Sequence, residues 1–339
     1  MAHGEGMTKR RRRLALSSVV LLAGLATTGG VMTTCTPTTH GAVASDLGVA
    51  RTTADLESVV DEPGPVAAET VVGADWEVDR SGLINLNHPE AKAAHLVDGP
   101  EPIIIPFHVI RHPRFGLFIV DTGVERALRD DPQHAALSGL AARVMKADKI
   151  RVRTDTSSWI AAQKEPLRGV FLTHLHLDHV SGMRDVPDDA RVYTGPGESS
   201  ATGFLNAFVR GPTDAALAGK GALQEWHYAG TGSTTDANAF AGVVDVFGDR
   251  TVWAISVPGH TAGSTAYLAR TPAGPVLFTG DACHTAWGWE HGVEPGTFSV
   301  DQARSADSLA RLRAFVARHP RVDVRPGHQL LAHPIAASR

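Results

Sequence analysis

A chain of 339 residues with 43% hydrophobic side chains has the apolar material for one large domain or two small ones. A formal net charge of −4 offers no global positive field to a nucleic-acid partner, so none is expected. Two cysteines, Cys35 and Cys283, exclude a disulfide framework and a structural zinc site of four thiolates.

The first segment reads as an address. Lys9-Arg10-Arg11-Arg12-Arg13 precedes an apolar run from Leu14 to Val31, and a small-residue stretch ends in Ala42-Val43-Ala44. A positive region, an apolar region and an A-x-A site together make a secretory signal peptide, assigned to residues 1–44. The protein is therefore expected to be exported, to the periplasm or the extracellular space. Arg11 to Leu16 also resembles a twin-arginine signal, and a lipid on Cys35 would be a third route. Gly24, Gly29 and Gly30 weaken the apolar run as a permanent span, so no stable membrane span is expected after processing. Residues 45–74, with Pro63 and Pro65 and no clean periodicity, read as a linker or surface arm. Residues 75–339 are left as the folded domain.

Within that domain, apolar runs at Ile103–Ile110 and Gly116–Val120 flank a Pro113-containing turn and predict a hairpin. Further strands are expected at Gly169–Leu172, Arg191–Thr194, Val243–Phe247, Thr251–Val257, Ser264–Leu268 and Pro275–Phe278. Asp301–Arg318 carries Leu309, Leu312, Phe315 and Val316 on one stripe and predicts a helix, with Ser299 and Gln302 as its capping box. Strands interleaved with amphipathic helices give an α/β protein whose sheets are covered by helices.

The 17 histidines matter through their grouping. Thr173-His174-Leu175-His176-Leu177-Asp178-His179 follows a buried strand directly. Residues two apart in an extended segment point the same way, so His174 and His176 can grip one ion. Asp178 and His179, past the turn, project toward a neighbouring position. Imidazoles with a carboxylate suit zinc, iron or manganese, zinc being the default. Three more strand-end loops each place a ligand type beside Gly: Pro258-Gly259-His260, Thr279-Gly280-Asp281 and Pro326-Gly327-His328.

This ordered set resembles the metallo-β-lactamase superfamily, whose pattern is H-x-H-x-D-H followed by a His, a bridging Asp and a final His. The resemblance runs from about Ile103 to Gln329. It implies an αβ/βα four-layer sandwich of two sheets with outer helices and metals at one edge. It also implies two divalent ions: one held by His174, His176 and His260, the other by Asp178, His179 and His328, with Asp281 bridging. Asp121-Thr122-Gly123 matches the family's early strand-end motif, which supports the metal loops from behind. The chemistry implied is hydrolysis of a small-molecule lactone, ester, thioester or amide by a hydroxide formed when metal lowers the pKa of water from about 15.7 toward about 7. Asp178 would orient that nucleophile and carry its proton.

A bridging Asp281 argues against the typical secreted β-lactamases. Phe107–Pro113, the Asp-Thr-Gly turn and the Gly-Asp-Ala context look most like N-acyl homoserine lactone lactonases. Those enzymes commonly place a Tyr three residues after the bridging Asp, where this chain has His284, a second catalytic candidate. Trp287, Trp289 and His291 are read either as an acyl-pocket wall or as loop packing, and Gly195–Asn238 as a partly helical lid holding Phe204, Leu205, Phe208, Trp226 and Tyr228. Cys283 reads as packing. His95, His134, His227, His319 and His333 lack any ligand context. The rivals are a β-lactamase or a thioesterase of the same superfamily and, from another class, a non-catalytic metal-binding scaffold.

Overall fold

The computed structural model describes residues 35–203, 206–228 and 239–331. The Lys9–Arg13 and Leu14–Val31 runs, Phe204, Leu205 and His333 lie outside the described residues. In chain order the strands are β1 (Ala42–Ala44), β2 (Val49–Arg51), β3 (Ala67–Asp79), β4 (Pro100–His112), β5 (Gly116–Val120), β6 (Arg151–Val152) and β7 (Leu167–Phe171). They continue with β8 (Arg191–Thr194), β9 (Leu223–Glu225), β10 (Val243–Asp245), β11 (Val252–Ser256), β12 (Thr265–Thr271), β13 (Gly274–Phe278) and β14 (Asp323–Arg325). Eight of them pair in the order β1-β9-β8-β7-β5-β4-β3-β6, and six in the order β14-β13-β12-β11-β10-β2.

Nearly continuous apolar strands make sense because both faces of each sheet are covered. Side chains alternate along a strand, so each strand feeds two cores. In β5, Leu117 and Ile119 join a core with Phe107, Trp159 and Val170, while Phe118 and Val120 join another with Phe171, Tyr267 and Phe278. In β11, Val252 and Ala254 face that same middle core, and Trp253 and Ile255 face a third with Leu309, Leu312 and Phe315. The middle core therefore lies between the sheets, and the other two lie beneath outer helices. This is the four-layer arrangement expected. A buried aromatic such as Phe171 contributes on the order of 3–5 kcal/mol against truncation to Ala. A polar tie crosses the middle layer: Trp226 Nε1 donates to Tyr267 Oη (3.0 Å), which donates to the Leu172 carbonyl (3.0 Å) two residues before His174.

The helix Gln302–Arg318 forms on the expected stripe, but its cap differs. Asp301 accepts from the Arg304 N–H at 3.0 Å, and Ser299 instead lies 3.4 Å from His260 Nδ1. The acidic side chain at the helix start outcompetes the more distant hydroxyl.

Residues 45–74 are not a linker. They supply β2, a short helix at Thr53–Glu57 and the first half of β3. β2 and β1 are edge strands with half-exposed or exposed side chains, so they lack the apolar alternation that marks a strand in sequence. Ala42-Val43-Ala44, the A-x-A stretch itself, pairs in parallel with Leu223–Glu225, and Val49–Arg51 pairs antiparallel with Val243–Asp245. Upstream, the Thr38 hydroxyl and Thr39 N–H both donate to Asp214 (2.6 and 2.7 Å), and the Cys35 carbonyl accepts from Gly203 and Asn206 (3.1 and 3.0 Å). A protein begun at Ser45 should therefore melt at a lower temperature than one begun at Cys35, by on the order of 5 °C given hydrogen bonds to a charged group. Equal melting curves by calorimetry would show that this strap contributes nothing.

Candidate metal centre

Four loops on one edge of the sandwich bring the ligand types together. His174 follows β7; His176 immediately precedes the short helix Leu177–Val180, which carries Asp178 and His179. His260 lies between β11 and β12, Asp281 in the turn after β13, and His328 after β14. Tight backbone contacts make this convergence possible. Gly259 adopts φ +138° against the start of the helix Gln302–Arg318, and a Cβ on Gly327 would collide with Asp281 Oδ1.

All seven expected ligands meet. The donor atoms of His174, His176, His260 and Asp281 lie within 4.8 Å of one another, as do those of Asp178, His179, Asp281 and His328. Asp281 is shared by both sets. Its Oδ2 is 3.7 Å from His174 Nε2 and 3.3 Å from both His179 Nε2 and His260 Nε2, while His328 Nε2 is 3.2 Å from Oδ1. Ligands on a tetrahedral ion with bonds of about 2.0–2.1 Å stand about 3.3 Å apart, so these are ligand-to-ligand spacings. Among the described residues, buried His174 Nε2, His179 Nε2 and Asp281 Oδ1 have no hydrogen-bond partner. Orphaned polar atoms in a pocket cost free energy unless something fills it, and a cation between them is what this donor set fits.

Second contacts fix the rings. Asp121, buried and in the left-handed region at φ +58°, accepts from His179 Nδ1 (2.8 Å), the Thr173 N–H (2.8 Å) and the Thr173 hydroxyl. Such a backbone conformation is costly for a residue with a Cβ and tolerable for Asp. His328 Nδ1 donates to the Ile104 carbonyl at 2.9 Å. Each bond aims the remaining nitrogen inward.

Burial, reinforced by neighbouring imidazoles, holds His174 and His260 well below the ordinary histidine range, and burial lowers His176 as well. Burial would also lower His179, but Asp281, Asp121 and Asp178 outweigh it and hold that ring well above its ordinary value. His328 rises the same way, to about 10, against its burial, through Asp281 and Asp178. The two halves of the centre therefore differ. The first presents neutral rings ready for a cation, and the second carries protons that a cation must expel.

His284 is buried, with Nδ1 3.1 Å from the Leu83 carbonyl and Nε2 3.0 Å from Asp281 Oδ2. Both nitrogens are engaged within the protein, which favours bracing Asp281 over donating to a substrate. Trp289 is buried in the outer core and Trp287 stacks on His291 at 4.2 Å, so packing, not a pocket wall, describes this pair. Trp226 is core as well, so the lid reading does not hold there. The helix Asn206–Ala216 does form and packs against the helix bearing Asp178. Cys283 is buried and its thiol is pushed up to about 12, as packing requires. His95, His134 and His227 are exposed and belong to neither ligand set; His319 is held by Asp61 at 2.7 Å. Sequence reasoning missed Glu198, a buried carboxylate behind the first loop, and the rim residues Phe298 and Val300. Phe298 and Val300 are 43% and 73% exposed beside the ligands. The Val300 N–H donates to the His260 carbonyl (3.1 Å), and the Phe298 ring lies 6.4 Å from His284.

The family model of the Metallo-beta-lactamase superfamily matches residues 108–328, which contain the whole ligand set. The chain belongs to this superfamily. It is 29% identical over 220 residues to N-acyl homoserine lactonase AttM of Rhizobium johnstonii, covering 61% of this chain and 76% of that protein. It is 26% identical over 228 residues to the AttM of Agrobacterium fabrum, covering 64% and 79%. Its fold is similar to a crystal structure of a quorum-quenching N-acyl homoserine lactone lactonase at TM-score 0.53 and 16% identity, covering 82% of this chain and 97% of that one. With the two metal-ligand sets in place, the superfamily member is a metal-dependent hydrolase of the lactonase-like kind.

The unequal protonation of the two halves has a measurable consequence. As pH falls from 8 to 6, affinity for the second ion should drop about tenfold per proton displaced per pH unit, while affinity for the first stays nearly flat. Calorimetric metal titration of the stripped protein reads this directly, and parallel pH slopes for both ions would contradict the protonation assigned to His179 and His328.

Proposed function

We propose that the protein is an exported dinuclear hydrolase that opens a lactone, or cleaves a related carboxylic ester, bearing an apolar acyl group. The observation that carries this reading is the shared Asp281 between two complete ligand sets. Five imidazoles and two carboxylates in that arrangement favour zinc. When bound, the ions lower the pKa of a water and polarise the scissile carbonyl.

The protein's own groups divide the remaining work. Asp178 and His176 are the most solvent-accessible of the ligands, so the open face of the centre lies on their side. Asp178 is placed there to orient the attacking water and pass its proton to the leaving oxygen. His284 holds Asp281 through Nε2 while the Leu83 carbonyl fixes its ring. Phe298 and Val300 offer exposed apolar surface at the rim, which supports an acyl chain in the substrate. The names of the similar proteins support a lactone. Export rests on the leader composition, the basic run Lys9–Arg13 followed by the apolar run Leu14–Val31.

The test is elemental analysis of the purified protein, then turnover of lactones, esters, thioesters and β-lactams with and without chelator. About two ions per chain and chelator-sensitive lactone cleavage are expected. Faster cleavage of the β-lactam or thioester would replace the lactone reading, and full ion content without turnover on any substrate would favour a scaffold. Asp281→Ala or His176→Ala should lower turnover by about 10²-fold or more, and either variant keeping full activity contradicts the site. Phe298→Ser should raise KM several-fold for long-chain acyl lactones over short-chain ones while kcat changes little; an equal effect on both chain lengths would remove Phe298 from substrate binding.

A further inference from the structure

We infer that Glu198 is the positioning residue of the first ion, the carboxylate that holds the His260 loop in register with His174 and His176. Glu198 sits in the loop after β8, outside both ligand sets, and is 2% exposed. Its Oε1 accepts from the Leu175 N–H at 2.9 Å, the residue between His174 and His176. Its Oε2 accepts from the Thr261 hydroxyl at 2.7 Å and the Gly263 N–H at 2.8 Å, both just beyond His260. One side chain thus bridges the two loops that carry all three histidines of the first ion. The two loops also meet at the ligands themselves, where His260 Nε2 lies 2.8 Å from His176 Nδ1.

A buried carboxylate is expensive to keep in place. Burial pushes the Glu198 carboxyl up, opposed by the Thr261 hydroxyl and the two N–H donors. A carboxylate with three donors forms charge-assisted hydrogen bonds, so each loop is held firmly. The loop that carries Glu198 is itself in van der Waals contact with the His260 loop, because a Cβ on Gly195 would strike the Gly263 carbonyl and one on Gly263 would strike Glu198. The pin therefore works at a point where the backbones already touch, and a small shift there moves His260 relative to His174.

The second ion has a different support. Asp121 holds His179 and Thr173, and the Ile104 carbonyl holds His328. None of these contacts involves Glu198. Loss of Glu198 should accordingly weaken the first half and leave the contacts of the second in place.

This inference rests on the dinuclear reading, and the test separates the two. Protein loaded with Zn2+ is challenged with a chelator, and metal release is followed in wild type, Glu198→Gln and Glu198→Ala. The release phases are assigned with His260→Ala for the first ion and His328→Ala for the second. Wild type should release two ions per chain; fewer than two would overturn the dinuclear reading itself. The Glu198 variants should release the first ion about 10–100-fold faster, as loss of a supporting carboxylate typically does, with the second ion unchanged. Acceleration of both phases alike, or of neither, overturns the inference. Should Glu198→Ala fold poorly, Glu198→Gln keeps the shape, and Thr261→Val removes a single donor. Non-additive effects of Glu198→Gln and Thr261→Val on the first phase are expected; fully additive effects would also count against the pin.

Discussion

Everything at the metal edge depends on one constraint: donor atoms that repel one another are packed together where water cannot separate them. Five imidazoles and two carboxylates point into a pocket whose His174, His260 and His328 side chains are almost fully buried. Lone pairs facing lone pairs at about 3 Å are unfavourable unless a positive charge lies between them. Without ions, protons meet part of that need, which is why the carboxylates hold His179 and His328 above their ordinary range. Divalent ions meet it fully. The sandwich provides the rigid frame that keeps the donors from turning away.

The frame does so by ending strands from both sheets at one edge. β7 delivers the His174 loop from one sheet, while β11, β13 and β14 deliver His260, Asp281 and His328 from the other. Rings that reach across a gap need orienting from behind, and buried acceptors supply this: Asp121 for His179, Leu83 for His284, Ile104 for His328 and Glu198 for the loops themselves. Strain at Asp121, the non-glycine residue at φ +58°, is tolerated because Thr173 and His179 both hold its carboxylate there.

The ligands were legible because each is a chemistry-bearing residue at a strand end beside glycine, in an order the chain displays openly. The strands were legible where both faces are buried, as at Gly116–Val120 and Arg191–Thr194, whose bounds agree with expectation. Legibility failed for two physical reasons. Edge strands such as Ala42–Ala44 face solvent and carry no apolar alternation, so they passed for a leader boundary and an arm. Supporting residues such as Glu198 act by hydrogen-bonding backbone far away in sequence, and no local pattern distinguishes a buried glutamate from a surface one. Trp226 illustrates a related failure: an aromatic amid polar residues reads as a lid until the fold places it in the middle core.

The central claim is that the pocket holds two ions bridged by Asp281. A crystal structure of the metal-loaded protein, with anomalous scattering recorded at the zinc edge, tests it most directly. The account predicts two anomalous peaks about 3.5–4 Å apart with the Asp281 carboxylate between them. A single peak, or none within reach of Asp281, would contradict it.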